Sequence, residues 1–305
     1  MVGGKSFRQL TTFGVGGVAA HYLKVSRPEE LVAAVRQTKK LKTPYFILAG
    51  GSNIVGPDGR WSGLLIHYFA PRGELKVKGA TISVAAGVPL LSLIKTAIKH
   101  GLAGLEKLSG IPGTVGGAVV GNAGAYGQEI ARPLKSVRVF DGEKIRWLGK
   151  KACCFAYRES IFKNKPWLVL EAEFKLVSAE RKELLKTARE IIRLRQQKYP
   201  PGLACPGSFF KNVLVKEVSS KSLALIPPEK IIDGKIPAGY LLEAVGGRDL
   251  KTKHLKVASY HGNLIINRGG ATCREVKKLA ALLKKRVFRK FGIRLEEEVR
   301  YVGEF

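Results

Sequence analysis

The sequence predicts an α+β fold, and three observations carry that prediction. Runs with the period of an amphipathic helix occur beside short β-rich runs. The two kinds are mixed without the regular strand–helix alternation of a doubly wound sheet. A long basic helical run ends in Tyr199-Pro200-Pro201-Gly202, and it divides the 305-residue chain into pieces that can each hold a core.

Helices are expected over 28–41, 89–100, 180–198 and 273–291. In the first, Ser26 and Glu29 form a capping box ahead of Leu31, Val32 and Val35. Pro200 and Pro201 stop the third. In the last, Thr272 and Glu275 repeat the capping box, apolar residues recur at Val276, Leu279, Leu283 and Val287, and Gly292 closes the helix. Strands are expected over 45–48, 63–67, 75–78, 81–86, 136–140, 144–148, 167–177, 262–267 and 295–302.

Composition sets outer bounds. No apolar run approaches the roughly 20 residues that span a bilayer. The start, MVGGKSFRQLTTF, has neither an apolar signal region nor a cleavage site, so a cytoplasmic protein is expected. Cys153, Cys154, Cys205 and Cys273 show no metal-ligand spacing and are expected as unbridged thiols in a reducing compartment; no metal site is expected. The net charge of +29 raises the possibility of nucleic-acid binding. Its distribution argues otherwise, because basic residues decorate 180–198 and 273–290 without interleaved aromatics, and no nucleic-acid-binding motif appears. A basic background, with a site that must hold phosphates, accounts for the excess better.

The glycines cluster. Gly14-Val-Gly16-Gly17-Val-Ala19 formally matches a dinucleotide fingerprint, but His21–Val25 after it reads as a strand where a helix is required. Two other clusters pass a better test. One is Ala49–Asn53, after the apolar run Tyr45–Leu48. The other is Gly110–Ala118, followed by Gly121–Gly127. Glycine lets backbone N–H groups approach an anion, so two such loops facing each other make a dinucleotide cradle. Tight turns in a compact β-rich domain remain the alternative at this point.

At these residues a family is recognisable. The run GLEKLSGIPGTVGGAVVGNAGAYGQEI, residues 104–130, resembles the central signature of the UDP-N-acetylenolpyruvoylglucosamine reductases. The resemblance runs in order from Thr11–Gly17 through Gly51–Asn53, Ala156–Ser160 and Pro206–Asn212 to Leu295–Arg300. It implies a two-lobed FAD-binding domain of the vanillyl-alcohol-oxidase type over residues 5–178, with lobes of about 5–70 and 71–178, and a C-terminal α+β substrate domain over 179–305. Non-covalent FAD would lie between the lobes. Gly50, Gly51, Ser52 and Asn53 would hold its diphosphate together with Ile111, Pro112, Gly113, Thr114, Gly116 and Gly117. Asn122, Ala123, Gly124, Tyr126 and Gly127 would lie near the flavin. With no Tyr-bearing insertion between 160 and 200, the chain resembles the family's shorter, second type.

The resemblance also implies chemistry and partners. The substrate would be UDP-N-acetylglucosamine enolpyruvate, reduced with NADPH as co-substrate by a monomeric enzyme. Arg158 and Glu298 would stabilise the charge that develops when hydride adds to the vinyl carbon, and Ser208 would donate the proton. Tyr157, Lys198 and Asn212 would hold the UDP-sugar. NADPH would use the same pocket first, giving ping-pong turnover without a separate nicotinamide fold. Read alone, these residues are bland: Arg158 a surface cation, Glu296-Glu297-Glu298 a solvated acidic tail, Ser208 a turn hydroxyl, His261 structural.

Three departures from the family pattern stand out. Val213 replaces a usual proline, 214–237 is a longer connection than usual, and Gly262 stands where alanine is common. They bear on the substrate side. A flavoprotein oxidase or dehydrogenase of the same fold is the competing reading, and a basic nucleic-acid-binding protein the third.

Overall fold

Antiparallel pairing dominates the middle of the chain. The structure, a computed structural model, describes residues 4–248 and 250–303. Met1–Gly3, Asp249, Glu304 and Phe305 lie outside the described residues, so the reading of the first residues and the far end of 179–305 fall partly there. A five-stranded sheet runs in the order Ile145–Gly149, Leu134–Phe140, Leu168–Lys175, Thr81–Ala85, Leu75–Lys78, and every neighbouring pair is antiparallel. Alternation in Leu168–Lys175 explains its place at the centre. Leu170, Ala172 and Phe174 face the core, while Glu171 and Glu173 face Arg138 and Lys135 on the neighbouring strand. Helix Leu90–Lys99 buries Leu93, Ile94 and Ala97 in the same core. With helices and antiparallel strands mixed in this way, the α+β expectation is borne out.

By compactness the chain forms two units. The first comprises His21–Gly50 and Ser62–Pro200; the second comprises Gly4–Ala20, Gly51–Trp61 and the chain from Pro201 onward. The division expected at 178–179 follows ligand roles. Compactness changes unit after Pro200 because helix Arg181–Lys198 buries Leu184 and Ala188 in the first core. A further sheet has the order Lys5–Ser6, Val18–Val25, Arg60–Tyr68, Tyr45–Leu48. The strand Val18–Val25 begins inside the Gly14–Ala19 run and continues through His21–Val25, where a Rossmann unit needs a helix.

The second unit is built on the hairpin Leu255–Ala258/His261–Asn267 and helix Cys273–Phe291, whose Val276, Leu279, Leu283 and Val287 are buried as the sequence predicts. The 214–237 connection is an excursion closed at its neck, where Val213 pairs with Ile236 and Leu214 with Lys235. No helix among the described residues is long and apolar enough to cross a membrane.

Two local expectations are corrected. The run 295–302 is not one strand. It pairs in two short pieces, first beside Phe209–Lys211 (Lys211 N–H to Glu296 O 2.9 Å, Glu298 N–H to Phe209 O 2.8 Å), then as Arg300–Tyr301 parallel to Ile54–Val55. The first helix starts one residue later than its expected box, because Pro28 takes the first helical position. Glu30, not Glu29, accepts from the N–H groups of Ser26 (2.9 Å) and Arg27 (3.2 Å).

Helix Cys273–Phe291 is capped from two places. Thr272 Oγ1 accepts from Glu275 N–H at 3.1 Å, and Asp58 accepts from Cys273 N–H (2.7 Å) and Arg274 N–H (3.0 Å). Glu275 does not reach back to Thr272. Its carboxylate accepts from the Thr252 hydroxyl, from His254 N–H at 2.9 Å and from His254 Nδ1 at 2.9 Å. Burial raises this acid, but those contacts outweigh burial and hold it below the usual glutamate value. Its stabilisation is therefore complete above the unfolded value of about 4.3 and is lost as pH falls through the lower folded value. Glu275→Gln should destabilise by about 1–3 kcal/mol at neutral pH, with the difference shrinking in acid. Thermal melts of both proteins across that range check this; a difference independent of pH contradicts it.

Candidate active site

Strand Tyr45–Leu48 delivers the chain into the loop Ala49–Asn53, and in the first unit that loop meets the second glycine cluster. A Cβ on Gly50 would lie 2.6 Å from Gly113 Cα, so the two backbones touch where no side chain fits. The expected apposition of the two glycine-rich loops is thus present. Gly113 is itself fixed, its carbonyl accepting from Leu90 N–H at 3.0 Å. The amides just after it are already engaged: Val115 N–H donates to Val88 O, Gly116 N–H to Ala86 O, and Gly117 N–H to Thr114 Oγ1. Gly116 also serves close packing, since a Cβ there would meet Ala86 Cβ at 2.8 Å, and both glycines open the short helix Val115–Val120.

The next cluster is a strained turn system. Gly124–Ala125 and Gln128–Glu129 form a hairpin whose two loop residues, Tyr126 (φ 50°) and Gly127 (φ 75°), are both left-handed, as a type I′ turn needs. Asn122 is also left-handed (φ 42°), buried, and donates from Nδ2 to Ala156 O at 2.8 Å. Ala123 is pinned by N–H donation to Ala118 O at 2.8 Å. Arg158 is a third left-handed non-glycine residue (φ 56°) in the same place, donating from Nη1 to Asn122 O (3.3 Å) and from Nη2 to Gly124 O (2.5 Å). Its guanidinium carbon stands 5.1 Å from the Tyr157 ring. Such concentration of unfavourable backbone conformations is held only where surroundings over-determine it. Arg158 is thus a built-in cation of this turn rather than a solvated one.

The second unit presents its own cluster. Ser208 precedes Phe209 and Phe210, which are buried with ring centroids 5.0 Å apart. Asn263 clamps their backbone: its carbonyl accepts from Phe209 N–H (3.1 Å), its Oδ1 from Phe210 N–H (2.8 Å), and its Nδ2 donates to Phe210 O (2.8 Å). Glu298 is tied to the same segment through its N–H to Phe209 O. Asn53 holds the other side of Glu298, donating from Nδ2 to its carbonyl at 2.9 Å, while Arg300 N–H donates to Asn53 O at 3.1 Å. The acidic run is paired rather than loose: the exposed Glu296 pairs with Lys211, and the half-buried Glu297 with Lys284 and Tyr301. Asn212 Oδ1 accepts from Ala238 N–H at 3.1 Å, and His261 Nδ1 accepts from Asn263 N–H at 3.1 Å. Lys198 belongs to the first unit, its amine 5.2 Å from the Tyr199 ring.

The sequence-predicted residues therefore fall into two groups. Gly50, the 110–117 and 122–127 segments, Tyr157, Arg158 and Lys198 lie in the first unit; Gly51–Asn53, Ser208, Asn212 and Glu298 lie in the second. Two positions escaped the sequence. Asn263 was readable only as a polar residue inside the apolar run Gly262–Ile266. Thr12, whose hydroxyl donates to Cys205 O at 2.9 Å and whose N–H donates to Gly51 O at 3.0 Å, lies in the Thr11–Gly17 block but was given no role there.

Each unit fits FAD on an observation of its own. In the first, the Gly50–Gly113 contact brings two glycine backbones together with no Cβ between them. In the second, Asn53 Oδ1 is buried without a hydrogen-bond partner among the described residues, an acceptor left for a hydroxyl. Similarity to known proteins agrees. Residues 19–144 match the model of an FAD binding domain, and residues 199–302 match the C-terminal domain of UDP-N-acetylenolpyruvoylglucosamine reductase. A protein of that name from Solibacter usitatus is 40% identical over 294 residues, covering 96% of this chain and 94% of its own. Its namesake from Rubrobacter xylanophilus is 36% identical, covering 97% of this chain and 93% of its own. The crystal structure of the reductase from Thermus caldophilus superposes with a TM-score of 0.76 at 31% identity, over 99% of this chain and 98% of that one.

Gly50→Ala tests the cradle. The added methyl meets backbone rather than a movable side chain, so the substitution should cost about 1–3 kcal/mol and reduce the FAD that co-purifies. Absorbance stoichiometry and thermal melting measure both; wild-type values in the variant would contradict the contact.

Proposed function

Because the chain belongs to the UDP-N-acetylenolpyruvoylglucosamine reductases, FAD-dependent oxidoreductases of peptidoglycan synthesis, we propose that it reduces UDP-N-acetylglucosamine enolpyruvate to UDP-N-acetylmuramate with NADPH. The observation that carries the reading is the anchoring of Glu298 beside Ser208: Glu298 N–H donates to Phe209 O at 2.8 Å, one residue from the serine. That tie presents an acid and a hydroxyl donor from adjoining backbones.

When bound, FAD would supply the hydride chemistry of the reaction, with NADPH as the reductant and the terminal vinyl carbon of the substrate as the acceptor. The protein's residues manage the charge and the proton that remain. As the vinyl bond opens, its electron pair moves to the ether-bearing carbon and into the carboxylate. Arg158 and Glu298, the latter protonated when it acts, stabilise that enolate, and groups pre-organised for developing charge are each worth around 10²–10³ in rate. Arg158 suits the role because its left-handed turn and two carbonyl contacts hold the guanidinium before substrate arrives. Ser208 Oγ then gives its proton to the ether-bearing carbon and regains one from water. A hydroxyl is a weak acid, so its position must compensate; the Asn263 clamp on Phe209 and Phe210 fixes the backbone that carries it.

Tyr157, Lys198 and Asn212 hold the UDP-sugar, with Lys198 as a point charge for its diphosphate. Residues 5–178 serve chiefly the flavin and 179–305 chiefly the substrate, with Tyr157 reaching across that division, and the enzyme works as a cytoplasmic monomer. NADPH and substrate take turns at one pocket.

Ser208→Ala separates the half-reactions. Flavin reduction by NADPH should stay within about twofold of wild type, while reoxidation by the enolpyruvyl substrate falls by about 10²-fold or more. Stopped-flow absorbance under anaerobic conditions reads both, and equal slowing of the two steps removes Ser208 from the proton-donor role.

A further inference from the structure

Arg195 is a cation with an unmet need. It projects from the last turns of helix Arg181–Lys198, and its stem lies along Gly110. A Cβ there would come within 3.1 Å of Arg195 Cδ and 3.4 Å of Nε, and Gly110 has a φ of 78°, so only glycine lets the arginine lie flat on this backbone. The guanidinium carbon stands 5.2 Å from the Tyr199 ring. Nε is buried and has no hydrogen-bond partner among the described residues. Burial pushes the guanidinium below its ordinary value, and the opposing influence comes from the phenols of Tyr199 and Tyr126, with no carboxylate contributing.

A desolvated donor of this kind is costly unless something completes it. The Nε–H and its neighbouring terminal N–H form a planar two-donor edge, matched to a pair of acceptors on phosphate or on a ring imide. The surroundings choose the ligand. Gly110, against which the arginine lies, opens the glycine-rich run whose Gly113 touches Gly50, and the Tyr126 phenol of the 122–127 turn is near enough to act on the guanidinium electrostatically.

We propose that Arg195 is a cofactor-binding residue, its Nε edge donating to an anionic or carbonyl acceptor of bound FAD. This rests on the flavoenzyme reading above. Two sources carry such an acceptor: the diphosphate, and the N1–C2 carbonyl edge of the flavin ring, where charge accumulates on reduction. Arg195 is then the residue the helix contributes to the cofactor, three positions before Lys198.

The test is FAD titration of wild-type, Arg195→Met and Arg195→Lys apoproteins by flavin fluorescence, with an anaerobic redox titration of each holoprotein. Loss of a charge-assisted contact predicts an FAD Kd raised about 10- to 100-fold in Arg195→Met, with a smaller rise in Arg195→Lys, which keeps charge but not the fork. A midpoint potential that also becomes more negative assigns the acceptor to the flavin ring; an unchanged potential assigns it to the diphosphate. Should the methionine variant fail to fold, the lysine variant still reads the loss of the fork. Wild-type FAD affinity in both variants overturns the proposal, and a defect confined to the KM for the enolpyruvyl substrate would place the guanidinium on the sugar nucleotide instead. Failure of the wild-type protein to bind FAD at all is a separate result, which defeats the flavoenzyme reading itself.

Discussion

The contact of Gly50 with Gly113 is the constraint on which the first unit's functional surface depends. Two main chains reach each other only where neither carries a Cβ, and here the forbidden methyl would stop 2.6 Å from a backbone carbon. Everything near it is arranged to keep that approach. Gly113 is tied to Leu90 at the head of helix Leu90–Lys99, and the amides of Val115 and Gly116 are tied to Val88 and Ala86 beyond the strand Thr81–Ala85. The five-stranded sheet thereby helps to fix the loop Gly110–Thr114. In the second unit a different device does equivalent work, as Asn263 replaces a missing sheet neighbour for Phe209 and Phe210.

Charge is spent locally in this protein, which gives its large positive balance a physical reading. Lys211 and Lys284 neutralise two of the three consecutive glutamates, and Lys163 donates to Arg158 O and pairs with Glu159. Arg158 is held by carbonyls and Arg195 by nothing anionic.

Much of the fold was legible because its signals are local. The helices at Pro28–Lys40, Leu90–Lys99, Arg181–Lys198 and Cys273–Phe291 fall within a residue or so of their expected bounds, since periodicity, proline and a C-terminal glycine mark them. The run 295–302 misled because its pairing is set by two distant partners, Phe209–Lys211 and Ile54–Val55, which no local pattern reveals. The first capping box slipped by one because proline at the first helical position outweighed the serine before it. The glycine clusters were readable as loops, but their contact was not, and neither was the diversion of the Gly116 and Gly117 amides into the protein. Asn263 and Arg195 were silent because what distinguishes them is burial and partnership.

The central claim is that this chain passes electrons from NADPH through bound FAD to an enolpyruvyl sugar nucleotide. An anaerobic absorbance titration of the purified protein tests it most directly, with NADPH added first and UDP-N-acetylglucosamine enolpyruvate second. The account predicts a yellow protein whose flavin band bleaches with the first addition and returns with the second. A band that bleaches and stays bleached would contradict the proposed substrate, and a protein that cannot be coloured by added FAD would contradict the whole account.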